Sequence, residues 1–166
     1  MFLKRFGCPP PAKRSLNQLR GIEGEKTKNQ YGSLAKNYGV PWSGRDTGQE
    51  WSKLDVPNKC ISSATACLYG ICEAAILATG YSTCIGFLHA GQSKSFVYDI
   101  ADLFKFDTVI PIAFETASKH EKNEKEDMIG RKVRIACRDM FRRKRIICRI
   151  VSAILDIFND DDNNIA

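Results

Sequence analysis

Three features of the sequence predict an all-α fold, a multi-helix bundle. Apolar residues recur at helical spacing behind recognisable start signals, and Gly and Pro close several of these runs. Nothing alternates with period two over enough residues to insist on a sheet. The 166 residues are 43% hydrophobic, enough to fill the core of one domain, which excludes wholesale disorder.

The first helix opens at Ser15-Leu-Asn-Gln18, which has capping-box form. Leu16, Leu19 and Ile22 then follow at helical spacing, and the helix runs to Tyr38, where Gly39 and Pro41 end it. A polar, Gly-containing linker carrying Trp42 and Trp51 comes next. A second helix spans about 58–79, a third starts near 93–95 and reaches about 107, a fourth starts around Pro111, and a single long helix covers about 127–158. Residues 1–14 read as an interdomain or N-terminal segment, 15–158 as the helical domain, 121–127 as a loop, and 159–166 as an acidic, polar, frayed tail.

The second helix could pass for a membrane span, because Glu73 is the sole charge between Lys59 and His89. Ser62, Ser63, Thr65, Thr79, Ser82 and Thr83 interrupt that run, however, and a carboxylate in mid-span is costly in lipid. It reads as a buried helix ending at Gly80, with no membrane involved. The seven cysteines contain no C-x-x-C pair and are odd in number, and Met-Phe-Leu-Lys-Arg is no signal peptide. Zinc ribbons and secreted disulfide scaffolds are thereby disfavoured. The expectation is a cytoplasmic protein whose reduced thiols act as small core residues.

Lys plus Arg number 25 against 19 Asp plus Glu, a net charge of +6, which favours an anionic partner, either nucleic acid or an anionic membrane surface. The charge is unevenly laid out. Residues 1–59 carry +6, residues 60–107 carry −2 and residues 108–166 carry +2. A nucleic-acid enzyme with metal ions at its centre has this pattern, and so does a helical bundle with solvated arms. Within 131–149 there are nine basic residues and one acid, Asp139, readable either as a DNA track or as a solvated helix face.

Asp99 and Asp102 lie three apart on the third helix, among Phe96, Val97, Ile100, Leu103 and Phe106. Two carboxylates on one side of an apolar helix repel each other unless a cation lies between them, and oxygen-liganded Mg²⁺ or Mn²⁺ is the economical answer. The alternative is one capping or salt-bridged carboxylate and one solvated. His89 sits between Gly86 and Gly91 in the turn feeding that helix, within reach of the same pocket, although a lone His is more often a core or surface residue. In the first helix Gly21 and Gly24 flank Glu23. Interior helix glycines cost about 1 kcal/mol each, so they call for a reason, either close approach of a metal or phosphodiester or close packing against another helix.

These runs carry a resemblance. Gln18-Leu-Arg-Gly-Ile-Glu-Gly24, Cys60-Ile-Ser-Ser-Ala-Thr-Ala-Cys-Leu-Tyr-Gly70, Gly86-Phe-Leu-His-Ala-Gly91 and Ser95-Phe-Val-Tyr-Asp-Ile-Ala-Asp102 resemble the CRISPR-associated integrase-endonuclease, the Cas one family. The form resembled is the one that accompanies Cascade-type systems. Phe106-Asp-Thr-Val-Ile-Pro111 and Arg134-Ile-Ala-Cys-Arg-Asp139 extend the likeness over about residues 5–155. Members of the family begin with a β-rich dimerisation domain, whereas this chain opens near their interdomain region, so the resemblance is to the helical catalytic domain. The linker around Arg45-Asp-Thr-Gly-Gln-Glu-Trp51 is shorter than in relatives.

The resemblance implies a divalent-metal-dependent enzyme of CRISPR spacer acquisition that joins a DNA 3′-hydroxyl to a phosphodiester of the repeat, and with water as nucleophile acts as a nuclease. It implies Mg²⁺ or Mn²⁺ held by Glu23, His89 and Asp102, with Asp99 as a further active-site carboxylate. It also implies the small partner Cas two and, in the full-length family, a homodimer. Arg14, Arg20, Lys26, Lys28, Lys94 and Lys105 lie near these residues in sequence and are expected at phosphates, while Trp51 and, less so, Tyr69 are candidates for stacking on an unpaired base. Cys84, five residues before His89, is the alternative enzymatic nucleophile. The rival from another class is a non-catalytic helical module that binds DNA or a protein partner.

Overall fold

The computed structural model describes residues 1–121 and 126–159; residues 122–125, within the expected loop, and the expected tail from Asp160 lie outside them. The described residues form seven α-helices and no strand: the all-α class is as expected, but a short helix lies in the segment read as interdomain and the last long helix is divided. The seven are α1 (Phe2–Phe6), α2 (Leu16–Asn37), α3 (Val56–Ala78), α4 (Ser95–Phe104), α5 (Val109–Ser118), α6 (Glu126–Arg143) and α7 (Ile146–Asn159), with short 3₁₀ turns at Trp51–Lys53 and Lys105–Asp107.

Local chemistry sets most boundaries. Ser15 Oγ accepts the Gln18 N–H at 3.3 Å and Gln18 Oε1 accepts the Ser15 N–H at 3.0 Å, the reciprocal box that the sequence predicts for α2. At the head of α3, Asp55 accepts the Asn58 N–H at 2.8 Å, and Pro57 sits in the first turn, where its missing N–H has no partner to lose. Gly80 follows α3 with φ 81, a left-handed conformation that glycine adopts without steric cost. α5 starts two residues before Pro111, which therefore also lies in a first turn.

α3 is the axis of the bundle. Cys60, Ile61, Ala64, Leu68, Cys72, Ala75 and Ile76 recur at helical spacing, are fully buried, and face α4, α5, α6 and α7. By length and composition α3 is apolar enough to cross a membrane, but here this stripe is spent on neighbouring helices. Each fully buried Leu or Ile contributes about 1.5–3 kcal/mol relative to exposure, so α3 anchors the core. Cys60, Cys72 and Cys137 are buried there as small apolar groups, whereas Cys84 and Cys148 are exposed, and none of the seven is in a disulfide. α2 lies on the outside, burying only Glu23, Tyr31 and Ala35. Tyr31 stacks on Trp42 with centroids 5.7 Å apart and meets Phe106 edge-on at 5.0 Å.

The single helix expected over 127–158 is two helices. Arg145 adopts φ 48, outside the right-handed region, and separates α6 from α7. A straight helix of that length would run about 48 Å. The bend instead brings both halves back onto α3, through Ile129, Val133 and Cys137 on one side and Ile146, Ile150 and Ile154 on the other. No Gly or Pro marks the break, so the helical period continued through it. All nine basic residues of 131–149 are exposed, as both a solvated face and a DNA track require.

Candidate metal centre

α4 carries the site on one side and the core on the other. Phe96, Val97, Ile100 and Ala101 are buried among apolar neighbours, and Asp99 and Asp102 are buried as well, at 1% and 8% exposure. The expected repulsion between the two carboxylates is relieved by separation of roles rather than by a cation shared between them.

Asp99 is consumed by the His89 loop. Its Oδ2 accepts the N–H of Phe87 and, at 3.1 Å, that of Leu88. Its Oδ1 accepts the His89 N–H at 3.1 Å and faces His89 Nδ1 at 2.8 Å. A buried carboxylate oxygen facing Nδ1 favours the tautomer with hydrogen on that nitrogen, which leaves the Nε2 lone pair free to ligate. Gly86 makes this possible, since a Cβ there would strike the His89 carbonyl and lie 2.8 Å from Asp99 Oδ2. From the other side Arg20 Nε donates to the Leu88 carbonyl at 2.6 Å, tying the loop to α2.

Asp102 points instead to α2. One donor atom each from Glu23, His89 and Asp102 lie within 4.8 Å of one another, the one such cluster found among the described residues. Two carboxylate oxygens and an imidazole nitrogen are a donor set suited to Mn²⁺ and compatible with Mg²⁺. Cations of the protein's own also meet these carboxylates. Arg5 Nη1 contacts Glu23 Oε1 and lies 2.6 Å from Asp102 Oδ2, and Lys105 Nζ lies 2.6 Å from Asp102 Oδ1. Burial lowers the pKa of both basic groups, and Asp102 opposes that shift.

Two connected grooves open here. One of about 400 Å³ contains Glu23, His89, Asp102, Arg5 and Arg20. It shares Gly24, Thr27 and Lys105 with a larger one of about 990 Å³ that runs past Lys28, Trp42, Arg45 and Tyr69. A Cβ on Gly21 or Gly24 would meet nothing within 4 Å, so close helix packing does not explain these glycines; Gly24 leaves open wall in both grooves.

The predicted site residues are thus only partly gathered. Glu23, His89 and Asp102 converge, and Asp99 stands behind His89. Arg20, Lys28 and Lys105 line the grooves, although Lys105 is buried on Asp102 rather than offered to solvent. Lys26 lies 4.5 Å from the Phe6 ring centroid and helps seat α1, Lys94 pairs with Glu73 at 2.9 Å, and Arg14 is exposed outside either groove. Trp51 is 44% exposed near Ser62 and Arg134, away from the metal cluster. Tyr69 is half-buried edge-on to Tyr98, at 5.1 Å, with its phenol at the larger groove. Cys84 is exposed, its thiol lies 4.0 Å from the Thr83 hydroxyl, and no hydrogen bond links it to His89 among the described residues, so the structure does not pair these two as nucleophile and base.

Sequence reasoning missed Arg5 and Arg45. Arg45 donates to Asn58 Oδ1 at 2.8 Å and to Ser62 Oγ at 2.9 Å, fixing the linker on α3 as the groove wall. Arg5 comes from the segment read as interdomain, and no spacing connects it to Glu23.

Fold and site together define a helical domain with a carboxylate–imidazole cluster at the floor of a basic groove. The chain belongs to the CRISPR-associated Cas1 family: residues 8–147 match the family described as CRISPR associated protein Cas1. It is 52% identical over 155 residues to the CRISPR-associated endonuclease Cas1 of Geobacter sulfurreducens, covering 93% of this chain and 49% of that protein. To the protein of the same description from Escherichia coli K12 it is 52% identical over 158 residues, covering 95% and 50%. The crystal structure of a TtCas1–DNA complex superposes with TM-score 0.82 at 35% identity, over 95% of this chain and 57% of that one. The chain spans about half the length of the curated relatives it matches.

Proposed function

We propose that this chain is the helical catalytic domain of a metal-dependent DNA endonuclease and integrase of CRISPR spacer acquisition. The observation that carries the reading is the convergence of Glu23, His89 and Asp102 within 4.8 Å, with Asp99 holding Nε2 of His89 free. Glu23, His89 and Asp102 hold Mg²⁺ or Mn²⁺, which when bound lowers the pKa of an attacking hydroxyl and polarises the phosphoryl oxygen. The chain's own residues do the rest. Asp99 orients the imidazole, Gly24 lets a phosphodiester backbone come close, and Arg20 and Lys28 meet phosphates along the groove. The nucleophile is a DNA 3′-hydroxyl or water, and no covalent enzyme intermediate is required. DNA as substrate is supported by the relatives' description as endonucleases and by the related complex solved with DNA. With this reading go a spacer precursor and a CRISPR repeat as substrates, the small partner Cas two, a homodimer in the full-length protein and a cytoplasmic location.

The test is Mn²⁺ binding by EPR to the chain, beside His89→Ala and Asp102→Asn, followed by DNA cleavage with and without divalent metal. One near-stoichiometric site, lost in both variants, is the expected result. DNA binding that is indifferent to metal and to His89→Ala, from a folded chain with no ion site, would favour the non-catalytic helical module instead.

A further inference from the structure

Arg5 is an unusual resident of the centre. Its side chain is 4% exposed, and Nη1 is set against both Glu23 and Asp102, two of the three proposed ligands. Yet Nε and Nη1 are buried without a hydrogen bond of good geometry, and only Nη2 has one, to Thr27 Oγ1 at 2.9 Å. A guanidinium recognises carboxylate best through paired, in-plane N–H groups. Here it is held mainly by charge.

The local charge balance opposes an added ion. Glu23 and Asp102 are balanced by Arg5 and Lys105, and Asp99 is already engaged by His89 and three backbone N–H groups. A divalent ion added to that neutral quartet would leave it with excess positive charge, offset only in part by Asp99 behind His89, and would sit beside a guanidinium on the same carboxylates. Like charges at such range repel strongly in a weakly screened interior. Lys105 uses Asp102 Oδ1, whereas Arg5 uses Oδ2 and Glu23, so it is Arg5 that lies where the ligand atoms converge.

Arg5 is carried on a short element. It belongs to α1, a five-residue helix closed by left-handed Gly7, and α1 rests on α4 and, through the Phe2 and Phe6 rings, on Lys26 of α2. In its present seat the guanidinium is bound by Thr27 Oγ1 and lies over the face of Phe6, 5.0 Å from Cζ, while Nη1 meets the two carboxylates.

We propose that Arg5 is a built-in counter-ion of the metal centre: it holds Glu23 and Asp102 together and competes with the divalent ion for them, so that metal loading and withdrawal of Arg5 are one event. This rests on the metal reading above, and the test separates the two. Mn²⁺ affinity is measured by EPR on the full chain, on Arg5→Gln and on His89→Ala. The expected result is binding about tenfold or more tighter in Arg5→Gln than in the unaltered chain, and none in His89→Ala. In Arg5→Ala, millimolar methylguanidinium should weaken Mn²⁺ binding again, which it should not do in the unaltered chain; a merely structural arginine would give no such competition.

Equal or weaker binding by folded Arg5→Gln, with His89→Ala still dead, overturns this inference and leaves the metal reading standing. No binding by the chain or by Arg5→Gln overturns both. If the variants do not fold, the Arg5 guanidinium ¹⁵N resonances of the unaltered chain decide. They should shift on Mg²⁺ addition together with those of His89, and a His89 shift without one from Arg5 rejects the competition.

Discussion

α4 faces two regions built on opposite principles. On one side Phe96, Val97, Ile100 and Ala101 join α3, α5, α6 and α7 in a core of apolar side chains. On the other, Asp99 and Asp102 are buried too, yet their hydrogen bonds and ion pairs are to N–H groups and cations. The core is held by area removed from water, which any residue of suitable shape supplies. The site is held by matching individual charges, where loss of one partner exposes another to an uncompensated burial cost. The bundle should therefore keep its fold through changes that destroy the site, and keep its site through losses of core volume that spare the fold.

The largest expected effect tests the core. Leu68→Ala, at a fully buried position on the central helix, should cost about 2–5 kcal/mol in urea unfolding. Mn²⁺ affinity of the folded fraction should stay unchanged, and a large loss of affinity there would mean that core and site are one cooperative unit.

Asp99→Asn tests the site. The amide puts a donor where N–H groups already point, and the imidazole loses its charged anchor, so Mn²⁺ affinity should fall about 10–100-fold. Wild-type affinity in this variant would remove Asp99 from its positioning role.

The smallest effect sharpens the boundary between the two. Gly24→Ala adds a methyl that meets nothing within 4 Å, so α2 should gain about 1 kcal/mol of helix stability. Mn²⁺ affinity should hold while affinity for a DNA duplex falls, because the methyl fills open groove wall. DNA affinity equal to wild type would show that the glycine has no part in the approach of a phosphodiester.

Much of the fold was legible. Ser15 and Gln18 announced the start of α2, Gly39 its end, and the apolar run 60–76 the central helix, because caps and periodicity are local properties of the chain. The break at Arg145 was not legible. It is a left-handed residue amid a basic run with no Gly or Pro, and what it gains, contact of α6 and α7 with the same α3, is visible only in three dimensions. The three proposed ligands were reachable because Glu23, His89 and Asp102 sit in specific motifs. The basic residues were harder to place: Lys94, Lys26 and Lys105 face Glu73, Phe6 and Asp102, and nothing in their spacing separates a solvated lysine from a paired one.

By itself the sequence determined an all-helical domain, the approximate starts of α2, α3, α4 and α5, its central apolar helix and the identities of the residues that could bind an ion. These follow from periodicity, capping and side-chain chemistry, which act over a few neighbouring residues. Tertiary structure alone decided that Asp99 serves the His89 loop while Asp102 turns to Glu23, that Lys105 is buried, and that Arg5, eighteen residues before Glu23, enters the same cluster. The physical reason is that charge pairing acts through space, so its partners are set by which helices meet and not by their order along the chain.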